Sequence, residues 1–200
     1  MNTVNPIPAG YRTITPYLAV PDGYAALDYY KRALGAEIVD AMNAPDGSLM
    51  HAEIRIGDSM LQLSQEMPDF GLKSPQGGWV HSSIVVYTED TDEFVARAVT
   101  EGGTLVTAVA DTFSGDRHGV FLDPFGHRWA VCTKVEDVPA EEVARRARAL
   151  FFPETQSPQE FVATVVREFE LRRRAQYPAT GSTRAASASP FAKRVTFLET

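Results

Sequence analysis

The chain of 200 residues contains a single cysteine, Cys132, so an intrachain disulfide cannot form and the fold has to rest on its apolar core. The same scarcity points to a reducing compartment, and a cytoplasmic location is expected. No uninterrupted apolar run reaches the roughly 20 residues of a membrane span. Residues 1–10 also lack a basic stretch followed by an apolar core, so neither insertion nor secretion is expected. Positive charge is in short supply, with 19 Lys and Arg against 26 Asp and Glu and a net charge of -7. The deficit is local: residues 1–133 hold 8 basic against 17 acidic side chains, a net -9, while residues 134–200 hold 11 against 9, a net +2. An acidic body repels phosphate backbones and attracts cations, so nucleic acid is not an expected partner and a cationic ligand is favoured.

What is present is a globular composition, 44% hydrophobic and 22% charged, sufficient for one generous domain with an appendage. Hydrophobic spacing predicts a strand over Thr13 to Val20, a turn at Pro21-Asp22-Gly23, and a helix over Tyr24 to Leu34. The helix carries Ala26, Leu27, Tyr30 and Leu34 on one face and stops at Gly35. Strands follow over Glu37 to Met42, Leu49 to Ile56 and Met60 to Ser64, the last two joined at Gly57-Asp58. The pattern then restarts: a strand over Val80 to Tyr87, a helix over Thr91 to Thr100 stopped by Gly102-Gly103, and strands over Thr104 to Val109, Gly119 to Leu122 and Trp129 to Thr133. Thirteen positions separate Asp22 from Gly35, and thirteen separate Glu89 from Gly102. Two βαβββ units in tandem account for this repeat.

Beyond Val138 the pattern turns helical. Asp137 and Pro139 suit the start of a helix running to about Leu150, and Ser157 to Glu160 suits a capping box for another. Residues 178–190 are rich in Ser, Ala, Thr and Gly, which reads as a flexible linker before a short apolar-basic tail. The expected organisation is a domain over 1–135, with modules of about 11–66 and 79–135, a helical extension over 136–176, and a linker and tail over 177–200. The charge match between extension and body suggests that Phe191, Val195 and Phe197 anchor the tail on the acidic domain or on a dimer partner. The run Arg172-Arg173-Arg174 suits a helix C-terminus on a solvated face.

Several phrases carry a resemblance: Thr15-Pro-Tyr-Leu-Ala-Val, Tyr29-Tyr-Lys-Arg-Ala-Leu-Gly-Ala, His51-Ala-Glu-Ile-Arg-Ile-Gly-Asp, Phe113-Ser-Gly-Asp-Arg-His-Gly and Asp123-Pro-Phe-Gly-His-Arg-Trp. In this order, over roughly residues 11–135, the chain resembles the vicinal-oxygen-chelate superfamily of glyoxalases, bleomycin-resistance proteins and dioxygenases, and within it the PhnB-like proteins. The resemblance implies an α+β fold of two βαβββ modules whose mixed sheets curl around a ligand cleft, commonly in a homodimer. Metal-dependent members hold a divalent ion with four cleft-facing side chains. Carried over by spacing, those positions are Thr15, Gln62, Ser83 and Ala130. Two hydroxyls, an amide and a methyl do not make a transition-metal site, so no metal cofactor is expected.

Strand alternation places His51, Glu53 and Arg55 on one face and Ala52, Ile54 and Ile56 on the other. With the apolar face on the helices, His51 and Glu53 turn toward the cleft, His51 as a general base or hydrogen-bonding group. His81, in step with Ser83, completes a trio with His51 and Glu53 that is the one chemically sensible place for a displaced metal. Tyr17 shares the cleft face with Thr15 and offers an aromatic wall. Arg117, beside Asp116, is a candidate anion clamp. Gln62 and Ser83 complete the ligand-contacting set. Trp129 faces the helices as a core residue, His127 belongs to its turn, and Cys132 shares the parity of Ala130 without a base to activate it.

Three functions fit. The first is a binding protein for a small organic molecule, without the usual metal site and of a drug-sequestering, bleomycin-resistance-like kind. The second is a divalent-metal-dependent lyase, isomerase or dioxygenase, and the third a protein-interaction module using the C-terminal helices. Whether the chain is an enzyme is not decided by these residues.

Overall fold

A computed structural model describes residues 4–76, 80–151 and 167. The first module comprises β1 (Tyr17–Val20), α1 (Gly23–Leu34), β2 (Glu37–Asn43), β3 (Leu49–Ile56) and β4 (Ser59–Gln65). The second comprises β5 (Ser83–Tyr87), α2 (Thr91–Thr100), β6 (Thr104–Asp111), β7 (Asp116–Leu122) and β8 (Arg128–Lys134), and is followed by α3 (Ala140–Phe151). Each module forms a four-stranded mixed sheet, in the order β1-β4-β3-β2 and β5-β8-β7-β6. The first strand of each runs parallel to the last, and the remaining pairs are antiparallel. The registers repeat as well: Tyr17 lies opposite Gln62, and Val85 opposite Ala130. The fold is therefore α+β with tandem βαβββ modules, as the repeat predicts.

Local chemistry sets the element ends. Asp22 and Asp90 cap the two module helices, accepting from Ala25 N at 3.0 Å and Glu93 N at 2.9 Å. Each such cap is worth about 1 kcal/mol. The second cap is Asp90 and not the Glu89 from which the sequence repeat was measured, because the shorter side chain reaches the helix N–H groups. Gly35 ends α1 at φ 67, a left-handed conformation that favours glycine. Strand β1 begins at Tyr17 and not Thr13, since Pro16 has no N–H to donate to a ladder. β5 begins at Ser83, where pairing with Arg128 starts, and β7 begins earlier than expected, at Asp116 opposite Lys134. The predicted capping box at Ser157, the linker and the tail anchors lie outside the described residues.

The two modules share one core. Leu18, Val20, Ala52, Ile54, Leu61 and Leu63 form the buried face of the first sheet, against Ala26, Leu27, Tyr30 and Leu34 of α1. Phe94, Val95 and Ala98 of α2 join Phe121, Trp129 and Val131 in the same cluster. Side chains cross between the helices: Tyr29 donates its hydroxyl to Ala98 O at 3.0 Å, and Arg97 Nε donates to Ala33 O at 2.9 Å. Asp123 is the deepest tie. Only 4% exposed, it accepts from Tyr30 OH at 2.8 Å, Trp129 Nε1 at 3.0 Å, Phe125 N at 3.0 Å and His127 N at 2.8 Å. His127 also places Nε2 2.9 Å from Ala19 O, which confirms its structural role in the turn. Trp129 is completely buried, as its parity predicts.

Ion pairs hold α3. Arg146 meets Glu136 through two bonds of 2.7 Å and Glu142 at 2.8 Å, while Arg145 meets Glu142 at 2.7 and 2.8 Å. Hydrogen bonds from Arg145 and then Arg146 pull the Glu142 carboxyl down to about 2, and those from Arg146 lower Glu136. A carboxylate lowered by folding stabilises above its unfolded value and loses that contribution as pH falls through the folded one. Amide exchange over 140–151 should therefore stay constant from pH 7 to 5 and accelerate as pH approaches 2, after correction for intrinsic rates. An unchanged protection factor at pH 2.5 would show that the pairs contribute nothing to the helix.

Candidate functional site

The site is assembled on the face of the first sheet opposite α1. The β3 alternation predicted from sequence is observed: Ala52 and Ile54 have no exposed surface, whereas the His51 and Glu53 side chains are each 26% exposed. Cross-strand register sets Glu53 opposite Gln62, and Gln62 opposite Tyr17, in one row across β3, β4 and β1. Asp40 continues the row on β2. Four polar contacts join Tyr17, His51, Glu53 and Gln62 to a fifth side chain, Tyr11. His51 places Nδ1 3.5 Å from the Tyr17 hydroxyl and Nε2 3.7 Å from Glu53 Oε1, and its ring lies 5.8 Å from the Tyr17 ring. Gln62 donates to Glu53 Oε1 at 3.5 Å and to Tyr11 OH at 3.2 Å.

Tyr11 is the member that sequence reasoning missed. It precedes the first strand and falls in no periodic pattern, so only the folded chain brings it to Gln62. Burial first, and then the hydrogen bond with Glu53, raise its phenol above the ordinary value, keeping it a proton donor. The cluster thus offers a carboxylate, an imidazole, an amide and two phenols along one wall. A cation or a hydrogen-bond donor can be received at Glu53, and His51 can accept or release a proton beside it.

A separate groove of about 610 Å³ lies between the modules, and none of Tyr11, Tyr17, His51, Glu53 and Gln62 lines it. Pro16 and, on β4, Met60 line its first side, and Val85 and Tyr87 of β5 line the other. Phe94 and Trp129 also line it. Among the described residues, strands β1 and β5 are each paired on one side only, so each presents one backbone edge without a strand partner there. The opposite edge strands β2 and β6 carry register shifts at Ile38/Asp40 and Leu105/Thr107, irregularities of the kind that protect sheet edges.

The other sequence candidates lie elsewhere. His81 and Ser83 are exposed on the second module, and Ser83 Oγ accepts from Arg128 Nη1 at 2.7 Å. Among the described residues no three His, Cys, Asp or Glu side chains converge on one point, so the His51, Glu53, His81 trio is not assembled. The carried-over metal positions do not form a donor set either: Thr15 bonds back to Arg12 O at 3.4 Å, and Ala130, 6% exposed, offers a methyl. These residues do not fit a divalent metal. Arg117 lies on the helix side of β7. There it is bound to Asp92 at the start of α2 and, at 2.9 Å, to Asp111, instead of pairing with Asp116. Cys132 is 8% exposed, and burial, then the charge of Asp116, push its thiol up, the opposite of an activated nucleophile.

Tandem βαβββ sheets with a polar cluster on an open sheet face define a protein of the glyoxalase-like architecture. A family model for the Glyoxalase/Bleomycin resistance protein/Dioxygenase superfamily matches residues 12–131, and the chain belongs to that superfamily. It is 37% identical over 134 residues to an uncharacterized protein of Mycobacterium bovis, covering 65% of this chain and 88% of that one. An uncharacterized protein of Mycobacterium tuberculosis shares the same identity over 79% of its length. Among solved structures it is similar to TioX from Micromonospora sp. ML1, with a TM-score of 0.51 and 24% identity over 62% of this chain and 98% of that one. A gene product of Arabidopsis thaliana matches with a TM-score of 0.50 and 21% identity, over 61% and 98% of the two chains. The fosfomycin resistance protein FosX of Listeria monocytogenes, solved with Mn(II) and a sulfate ion, matches with a TM-score of 0.50 and 16% identity, over 68% and 96%. These structural likenesses establish the fold.

Proposed function

We propose that this chain is a PhnB-like, small-molecule-binding member of its superfamily that sequesters an organic cation without a metal cofactor. The observation that carries the reading is the Glu53-centred cluster. Its carboxylate is held by Gln62 and His51 with no Lys or Arg within 4.0 Å among the described residues, on a domain of net charge -9. A cationic group would complete the cluster, its apolar body lying against the exposed Tyr17 ring beside His51. The edges of β1 and β5 that no described strand pairs support a homodimer, in which a second copy would pair with them. The single cysteine supports a cytoplasmic location.

Calorimetry and thermal shift over cationic glycopeptide and aminoglycoside antibiotics, with protein purified with and without chelator, test the reading. A binder should raise the melting temperature by mass action, equally with chelator present. Glu53→Gln should weaken it by about tenfold or more, as expected for loss of a charge-assisted contact. Stoichiometric Zn, Ni, Mn or Fe that is lost in His51→Ala and required for binding or turnover would overturn it in favour of a metal-dependent lyase or dioxygenase.

A further inference from the structure

Among the described residues, the arginines of the acidic domain are spent on its own carboxylates, with one exception. Residues 1–133 contain six arginines. Arg12, Arg32, Arg55, Arg97 and Arg117 each lie within 4.0 Å of a carboxylate. Among the described residues Arg128 has no such partner; its guanidinium donates only to the Ser83 hydroxyl, at 2.7 Å. The half-buried guanidinium therefore keeps N–H donors without an acceptor among the described residues, where a carboxylate would make a stronger, charge-assisted bond.

The surroundings of Arg128 differ in kind from the Glu53 cluster. Register places Ser83, Arg128 and Leu122 in one row across β5, β8 and β7, on the face of the second sheet opposite α2. The next row along the same face is Val85, Ala130 and Val120. At this corner of the sheet the guanidinium and the Ser83 hydroxyl stand together, and the exposed His81 lies two residues before β5 begins. Beside that corner the exposed Val85 and Tyr87 continue the face as an apolar surface. A fork of unpaired N–H donors at the end of an apolar strip matches a planar carboxylate on an apolar body, because the guanidinium binds both oxygens of such a group at once.

We infer that Arg128, with Ser83, forms a second subsite, which takes the carboxylate of a small aromatic or aliphatic organic acid whose apolar part lies along Val85. This goes beyond the cation reading of Glu53: it concerns another sheet and the opposite charge, and either can fail alone. Benzoate is the probe. Titrated into the full chain at constant ionic strength and followed by calorimetry and by NMR shifts, it should bind saturably, and the Val85 signals should move. Arg128→Gln should weaken it by about tenfold or more, as removal of a charge-assisted bidentate contact does. Arg128→Lys should recover only part of that loss, since a point charge replaces the fork. Glu53→Gln should leave benzoate affinity undiminished, which separates this subsite from the cation site. Because Arg128 has a hydroxyl as its only partner among the described residues, unchanged melting temperatures in the variants would establish that lost binding is not lost folding; the lysine variant provides the comparison if the glutamine variant is destabilised. Equal benzoate affinity in wild type and Arg128→Gln, or no saturable binding by wild type, would overturn the proposal.

Discussion

Replacing Asp123 with alanine is expected to lower the free energy of unfolding by about 3–5 kcal/mol, the range for removing one partner of a buried charged network. The side chain is 4% exposed and accepts four hydrogen bonds, two from Tyr30 and Trp129 and two from the backbone of its own turn. Alanine would leave four donors with no acceptor in a site from which water is largely excluded. The loss also falls between modules, because Tyr30 belongs to α1 and Trp129 to β8. Burial, followed by the charge of Asp123, pushes the Tyr30 phenol well above its ordinary value, so it remains a donor throughout the working pH range. Asp123→Asn keeps one acceptor oxygen and should fall between wild type and alanine. Urea unfolding monitored by tryptophan fluorescence gives the measurement, and a midpoint shift equivalent to less than 1 kcal/mol would contradict the network's role.

Gly115→Ala is expected to cost about 2–4 kcal/mol, from a left-handed backbone and a collision acting together. Gly115 has φ +81, and an added Cβ would lie 2.3 Å from Glu136 O and 2.7 Å from Val138 Cγ2. Backbone cannot yield as a flexible side chain can, so the β6–β7 turn and the segment leading to α3 would separate. Two hydrogen bonds of 3.0 Å, from Val135 N and Glu136 N to Gly115 O, depend on this approach. Gly57→Ala is the control: φ is +59, and nothing lies within 4 Å of the added carbon. It should cost only the conformational strain of about 1–2 kcal/mol. Faster amide exchange at Val135 and Glu136 in the Gly115 variant, but not in the Gly57 variant, would distinguish the collision from the strain. Equal losses in the two variants would refute it.

Patterns local to the chain were readable before folding. The alternation over His51 to Ile56 shows which face of β3 is buried, because side chains on a strand point to opposite sides whatever the sheet packs against. The spacing of Ala26, Leu27, Tyr30 and Leu34 shows the buried stripe of α1 for the same kind of reason. Parity likewise puts Trp129 in the core. Parity was less useful for Arg117, which the sequence offers as an anion clamp beside Asp116. The extended chain turns that side chain away from its neighbour, toward Asp92 on a helix 25 residues earlier.

The tandem βαβββ plan, its turns and the sense of each face follow from periodicity, glycine placement and capping chemistry, all of which act over a few residues. The composition of the Glu53 cluster does not. Tyr11 meets Gln62 across 51 positions, and Tyr17 meets His51 across 34. Asp123 reaches Tyr30 across 93. Such meetings depend on strand register and on the packing of one module against the other, and no short-range pattern encodes them. The same holds for charge. The shortage of positive residues was plain from counting, but that five arginines of the domain are paired and that, among the described residues, Arg128 bonds only to a serine is a matter of which side chains the fold brings within 4 Å.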